Sequence, residues 1–505
     1  MSQWKHYILP VATLFILSVI VRLPTLDRPL SKHHEFCTAI ALRIMQVWAA
    51  GGIHNYCFNP AMNYPGAANR GINNFASASG KMKDAAGNYY YVSHPPLAYY
   101  FPFFVFRLLG IKPDVWAMES FNLLTHFLCA VTLAGIVFLL TSGPIADSQP
   151  AVVMAAVAYL FSPGPLWFHS NVYMADTLVQ LFFTTGLFAA LKYYITGKSR
   201  WILFYGCFQF LMVFSSWLGV FAAISVPVGA LISERCRRKH LFAKIAAIAL
   251  LSTFSALALT IFQYSGIAGF SALLEEWQCR LEVRSGLSAF PPSLSRLASG
   301  SATCILNYLA AYLPVLLAIF LLVIFRKKQL SALIRLPTFV FFFLSSVIPV
   351  ALLHLVLSNY AGHDFTTLYA GLFLSVFLGI GMALHNERKK LLAGAVLLVI
   401  CGTGQYYFIN RPGALSRTGE PYAIHKTIGE RISQVAAPHE VIFILKNPNG
   451  IPIMPETIFY AGRNIQTCKS ESEARAFLRQ TDNLQGVLLE ITAQGEVVEK
   501  GRLSM

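Results

Sequence analysis

His33, His34 and Glu35 stand side by side in the stretch RPLSKHHEFCTAIALRIMQVWAAGG. Imidazoles and carboxylates are the groups that take and hold protons near neutral pH. Ile40, Ile44, Val47 and Trp48 follow at helical spacing, which predicts a helix over 35–50 stopped by Gly51–Gly52. Glu35 then occupies the first turn, where the helix dipole favours an ionised carboxylate. An isolated glutamate there would ordinarily be an end charge and nothing more. With two histidines beside it, Glu35 reads as a general base, His34 as its orienting or proton-sharing partner, and His33 as a substrate-binding neighbour.

Four other segments carry groups of similar kinds. YYYVSHPPLAYYFPFF places Tyr91 and His94 ahead of a stiff Pro95–Pro96 pair, among tyrosines suited to a bilayer interface or to stacking on a sugar. FHSNVYMADTL sets Asp176 at the start of an apolar run, as a helix cap or as a ligand for a hydroxyl. HLVLSNYAGHDFTTLYA adds His354, His363 and Asp364. QCRLEVRSGLSAFPPSLSR holds Arg280, Arg284 and Arg296, whose guanidinium forks match phosphate oxygens. The ligand types would suit a metal, but neither the i, i+4 spacing of a zinc helix nor an Asp-x-Asp pair is present, so no metal is expected. No Gly-rich phosphate loop is present either, so no motif calls for a nucleotide cofactor.

The elements that must position these residues are membrane helices. The chain has 505 residues, 56% hydrophobic and only 12% charged, where a soluble protein carries roughly a quarter charged. Mean hydropathy is +0.56. We read about eleven spans, each near the length that crosses a bilayer. They are Tyr7–Leu23, Trp116–Thr141, Ala151–Phe168, Asp176–Tyr194, Trp201–Ser215, Trp217–Ile232, Leu241–Tyr264, Ile305–Phe325, Pro337–Leu357, Thr366–Leu384 and Leu391–Phe408. The net charge of +16 does not point to nucleic acid, because Lys and Arg gather in the short loops KYYITGKSR, ERCRRKH, FRKKQ and NERKK. That is the positive-inside pattern, with a share of the charge left for anionic lipid. It sends the insert 24–115, the loop 265–304, the loop 358–365 and everything after 409 to the face away from the cytoplasm. His33, His34, His54, His94, His169, His354 and His363 map to that same face, which predicts that several segments converge there on one polar site.

The domain plan is a membrane part over 1–408, with a large outer loop at 24–115, and an extracytoplasmic α/β domain over 409–505. EVIFILKNPNG and GVLLEITAQG read as strands, and AIHKTIGERISQVA and SESEARAFLRQ as amphipathic helices, the second with a serine cap. Cys37–Cys57 and Cys279–Cys304 lie on the outer side, either as disulfides or as small buried thiols.

The chain resembles the GT-C membrane glycosyltransferases, in the branch of the protein O-mannosyltransferases and the lipid A aminoarabinose transferases. VRLPTLDRPLSKHHEFCTAIALRIMQ looks like that family's first outer loop, YVSHPPLAYY like its segment before the second span, and NVYMADTLVQLFF like its Asp-bearing turn. Where the family has an Asp-Glu pair this chain has His34–Glu35, so the base becomes Glu35, His34 or both. Where the family has a basic residue before Pro-Pro, this chain has His94. The resemblance implies an inverting transfer of sugar from a polyprenyl-phosphate donor to an acceptor hydroxyl on an envelope lipid, glycan or protein. It also implies a multi-pass protein of the inner (plasma) membrane, contacting membrane lipids, with its site on the periplasmic side. Two other readings compete: a transporter or flippase of a lipid-linked sugar, and a non-catalytic subunit of polysaccharide assembly. A transporter should place ionisable residues mid-span, whereas here they cluster at one face.

Overall fold

The computed structural model describes residues 5–31, 34–142, 148–233, 239–286, 294–384, 388–410, 423–481 and 485–504. The first helix, α1 (Lys5–Arg22), is followed by the insert, which holds α2 (Glu35–Gly51) and α3 (Leu97–Leu109). The membrane bundle continues with α4 (Val115–Thr141), α5 (Gln149–Phe161), α6 (Pro163–Asn171), α7 (Ala175–Thr196), α8 (Ser199–Val213), α9 (Leu218–Ser233) and α10 (Lys239–Ala268). Then come α11 (Phe270–Ser285), α12 (Leu294–Ile334), α13 (Pro337–Val356), α14 (Ala370–Ala383) and α15 (Arg388–Ile409). The protein is an integral, multi-pass membrane protein.

Among the described residues eight helices are long and apolar enough to cross a bilayer, and α5 and α6 reach that length only together, as a pair bent by 61° that forms a broken span or a re-entrant loop. The bend falls at Ser162, where Pro163 and Pro165 open the new helix and neither can donate a backbone hydrogen bond. α8 and α9 stand at the fifth and sixth of the eleven expected spans, Trp201–Ser215 and Trp217–Ile232, but at 15 and 16 residues each falls short of a bilayer's thickness. Their turn is tight, since a Cβ on Gly219 would lie 2.4 Å from the Val213 nitrogen. The loop read over 265–304 contains a full helix, α11. Small residues let the helices approach closely, as they must where lipid supplies no hydrophobic drive. A Cβ on Gly379 of α14 would sit 2.5 Å from the Ala151 carbonyl oxygen of α5.

The insert helix α2 spans the predicted residues and ends at Gly52, whose φ of 79° favours glycine. Neither a Cys37–Cys57 nor a Cys279–Cys304 disulfide is present in the structure.

After α15 the chain builds a small α/β unit: α16 (Ile424–Val435), β1 (Val441–Leu445), α17 (Pro455–Ala461), β2 (Ile465–Cys468), α18 (Glu471–Gln480), β3 (Gln485–Ile491) and β4 (Val497–Ser504). The sheet order is β2-β1-β3-β4, with β1 parallel to both neighbours and β4 antiparallel to β3. β1 reads VIFIL without alternation because a central parallel strand is covered on both faces. Ser470 caps α18 by accepting from the Glu473 amide, as the sequence predicts. The strands β2 and β4 and the short helix α17 were not read from the sequence.

Candidate active site

His34 precedes α2 with a left-handed backbone, φ 63°, which is uncommon for a residue bearing a Cβ. Its imidazole lies against the segment between α13 and α14. Nε2 is 2.9 Å from Asp364 Oδ1. The rings of His363 and Phe365 stand 5.3 and 4.9 Å away, edge-on, and Phe168 of α6 is 6.2 Å away. The imidazole is 3% exposed while Asp364 keeps 25% of its surface, so the pair is desolvated on one side and open on the other.

Glu35, next in sequence, points to a different partner. The Arg28 guanidinium donates to both of its carboxylate oxygens, one contact being 3.0 Å, and the Ser31 amide donates to Oε2 at 2.7 Å. Arg28 in turn lies over the Trp167 indole at 4.9 Å. The expectation that Glu35 offers the reactive lone pair thus meets a carboxylate already gripped by an arginine and holding the 28–31 turn. His33 lies outside the described residues.

Asp176, in the first turn of α7, is buried and accepts from three hydroxyls. These are Tyr360 at 2.7 Å, Tyr369, and Ser216 at 3.5 Å. Two of the three come from the segment that carries His363 and Asp364, so Asp176 fixes the backbone presenting them.

A cationic cluster adjoins this one. Arg284 of α11 donates to Ser93 Oγ at 2.6 Å, approaches His94 Nε2 at 3.4 Å and lies over the Tyr360 ring at 5.1 Å. Arg280 lies over Tyr91 at 5.0 Å and is bound to Glu276 by Nε at 2.6 Å. Arg296 belongs to α12, but its side chain lies outside the described residues. The strand of chain around His94 is gripped through its carbonyls. Trp277 donates to Val92, Trp217 to Ser93 and Tyr264 to His94, at 3.0, 3.1 and 2.7 Å. Burial, reinforced by Arg284 and Arg280, holds the His94 imidazole well below its usual pKa. It is therefore neutral and does not stand in for a cation.

Ser93, Arg280 and Arg284 supply the polar lining of a cavity of about 340 Å³ whose other walls, Trp217, Phe221 and Leu257 among them, are apolar. From Arg284 the ring of Tyr360 leads to His363, 5.9 Å away, and so to His34.

The structure thus brings together His34, Asp364, His363, Asp176, Tyr91, His94, Arg280 and Arg284. It does not gather every histidine expected on the outer face. His354 pairs with the Tyr308 hydroxyl at 2.9 Å, and His169 stacks on His126 at 4.4 Å inside the bundle. The sequence reading missed Arg28, Tyr360 and Glu276. Of these only Glu276 had a local signal, its i, i+4 spacing to Arg280.

A scan against protein-family models finds no match, and a search of curated proteins finds none. Solved structures do match. ArnT from Cupriavidus metallidurans, bound to undecaprenyl phosphate, aligns with a TM-score of 0.57 at 13% identity over 95% of this chain and 92% of that one. The oligosaccharyltransferase of Archaeoglobus fulgidus in the apo form aligns with a TM-score of 0.60 at 10% identity, over 96% of this chain and 69% of that one. The oligosaccharyltransferase AglB, also from Archaeoglobus fulgidus and in complex with an inhibitory peptide and a dolichol-phosphate, gives a TM-score of 0.57 at 11% identity over 97% of this chain and 70% of that one. A chain whose described residues form 18 helices and a C-terminal mixed sheet, and which superposes on these proteins over nearly its whole length, has the fold of the GT-C membrane glycosyltransferases.

Proposed function

We propose that this chain is an inverting glycosyltransferase that moves a sugar from a polyprenyl-phosphate donor to an acceptor hydroxyl, with His34 as the general base and Asp364 as its partner. The observation that carries the reading is the His34–Asp364 pair, connected through the rings of His363 and Tyr360 to Arg284, which lines an apolar cavity. The cavity suits a prenyl chain, with Arg284 placed for the phosphate. Similar folds bound to undecaprenyl phosphate and in complex with a dolichol-phosphate support a lipid-phosphate donor.

The chemistry follows from the contacts. Asp364 at Nε2 favours the tautomer with its proton there, which makes Nδ1 the basic nitrogen. The acceptor oxygen attacks the anomeric carbon as its proton passes to His34, the new C–O bond forms, and the bond to the phosphate oxygen breaks with its electron pair. Arg284 offsets the charge that grows on the departing polyprenyl phosphate. Asp364 stabilises the imidazolium. Glu35, held by Arg28, keeps the turn before His34 in place. Tyr91 and His363 offer ring faces and edges to the sugar, and Asp176 holds the segment that brings Asp364 to the site.

The same reading puts the site and the C-terminal α/β domain (409–505) on the periplasmic side of an inner membrane, over a membrane part at 1–408. Incubating the purified protein with a synthetic polyprenyl-phosphate sugar and a panel of hydroxyl-bearing envelope lipids, glycans and peptides tests it. Release of polyprenyl phosphate coupled to a glycosylated acceptor is expected. Donor movement across vesicles without any bond cleavage would instead make the protein a transporter.

A further inference from the structure

The turn that leads into His34 is fixed by three side chains from three different elements. The Asp27 amide donates to Glu119 of α4 at 2.7 Å, the Ser31 amide to Glu35 of α2 at 2.7 Å, and the Leu30 amide to the Tyr460 hydroxyl at 2.8 Å. Tyr460 belongs to α17 of the C-terminal unit. We propose that Tyr460 is a positioning residue for the transfer reaction, through which the α/β domain forms part of the frame of the active site.

Tyr460 is itself held. α16 packs so closely on α17 that a Cβ on Gly429 would lie 2.7 Å from Tyr460 Cβ and 2.6 Å from the Thr457 carbonyl oxygen. The whole unit is latched to the insert by asparagines. Asn74 accepts from the Ile465 amide at 3.0 Å and donates to the Ile465 carbonyl at 2.6 Å. Asn464 accepts from the Tyr64 amide at 2.9 Å, while its own amide donates to Asn69 at 2.8 Å. β2 is the edge of the sheet, so Asn74 occupies the hydrogen-bonding groups that a further strand would take. The 27–31 turn is therefore clamped between α4 of the membrane bundle and α17 of the C-terminal unit. Leu30 is 1% exposed within that clamp. A base needs placement within a fraction of an ångström, and misplacement by about 1 Å costs up to roughly 10²-fold in rate.

This inference rests on the transferase reading, and its test separates the two. Tyr460→Phe keeps the ring and removes only the acceptor of the Leu30 amide. Hydrogen exchange at Leu30 should quicken, and kcat should fall about tenfold with the donor KM unchanged. Asn74→Ala, which loosens the latch without touching Tyr460, should give the same pattern more weakly. Faster exchange with an unchanged kcat in both variants would overturn the proposal, as would unaltered exchange at Leu30 in Tyr460→Phe. A rise in donor KM with kcat intact would overturn it too, because the hydroxyl would then serve binding. If His34→Ala keeps full turnover while Tyr460→Phe slows it, the assignment of the base fails and the positioning role stands.

Discussion

His34 Nε2 and Asp364 Oδ1 lie 2.9 Å apart, joining the start of α2 to the turn between α13 and α14. In the reaction proposed, this pair takes the acceptor proton. His34→Ala should lower single-turnover transfer by about 10²–10⁴-fold, the usual contribution of a general base. Asp364→Asn should lower it less, and His34→Asp, which restores the carboxylate of the resembling family, should retain part of it. Glu35→Gln, with the amide still able to accept from Arg28, should cost stability before rate. Near-normal transfer by His34→Ala with loss confined to Glu35→Gln would reverse the roles.

Arg284 and Arg280 sit one helical turn apart and should behave differently. Arg284 binds neutral groups, Ser93 and the Tyr360 ring. Arg280 is committed to Glu276. Donor affinity should therefore drop roughly 10- to 100-fold in Arg284→Ala, the worth of one charge-assisted hydrogen bond. Arg284→Lys should recover only part, having lost the fork. Arg280→Ala should show mainly as a lower melting temperature. Equal donor affinity in wild type and Arg284→Ala, measured by titration with polyprenyl phosphate, would place the phosphate elsewhere.

Glu276 ties α11 to the insert. It accepts from the Ser77 and Ser79 hydroxyls, at 2.7 and 2.8 Å, from the Ala78 and Ser79 amides, both at 2.8 Å, and from Arg280. Burial pushes its carboxyl pKa up, but Arg280 and these donors outweigh burial, and the net shift is downward. A carboxylate with a lowered folded pKa binds its proton more readily when unfolded. Its stabilisation is therefore complete above the unfolded value, near 4.3, and is lost as pH falls below that through the folded pKa. Thermal stability in detergent should decline in that acid range. Glu276→Gln should flatten the decline and lower stability at neutral pH by about 1–3 kcal/mol. An unchanged acid slope in that variant would remove Glu276 as the cause.

Topology is open to direct measurement. A single cysteine placed at Glu473, an exposed position on α18, should react with an impermeant thiol reagent once the outer envelope alone is permeabilised. A cysteine near Lys327 should react only after the inner membrane is opened. The opposite order of labelling would put the active site on the cytoplasmic face.

Some of this was settled by the sequence alone. Apolar runs of bilayer length determine a helical bundle, because in lipid a backbone must satisfy its own hydrogen bonds. α2 was legible from Glu35 to Ala50, one residue short of its observed end, because periodicity and a glycine stop are local signals, as was the Ser470 cap. The histidine-glutamate cluster was visible as chemistry for the same reason. Which of its members is placed to react was not. Glu35 and His34 are neighbours in the chain, yet a left-handed turn at His34 sends one side chain to Arg28 and the other to Asp364. The tertiary structure alone decided that division, along with the holding of Asp176 by two tyrosines and the grip of Tyr460 on Leu30. Hydrogen bonds between residues hundreds of positions apart depend on how helices pack, and helix packing is set by side-chain shape across the whole bundle, which no local pattern encodes.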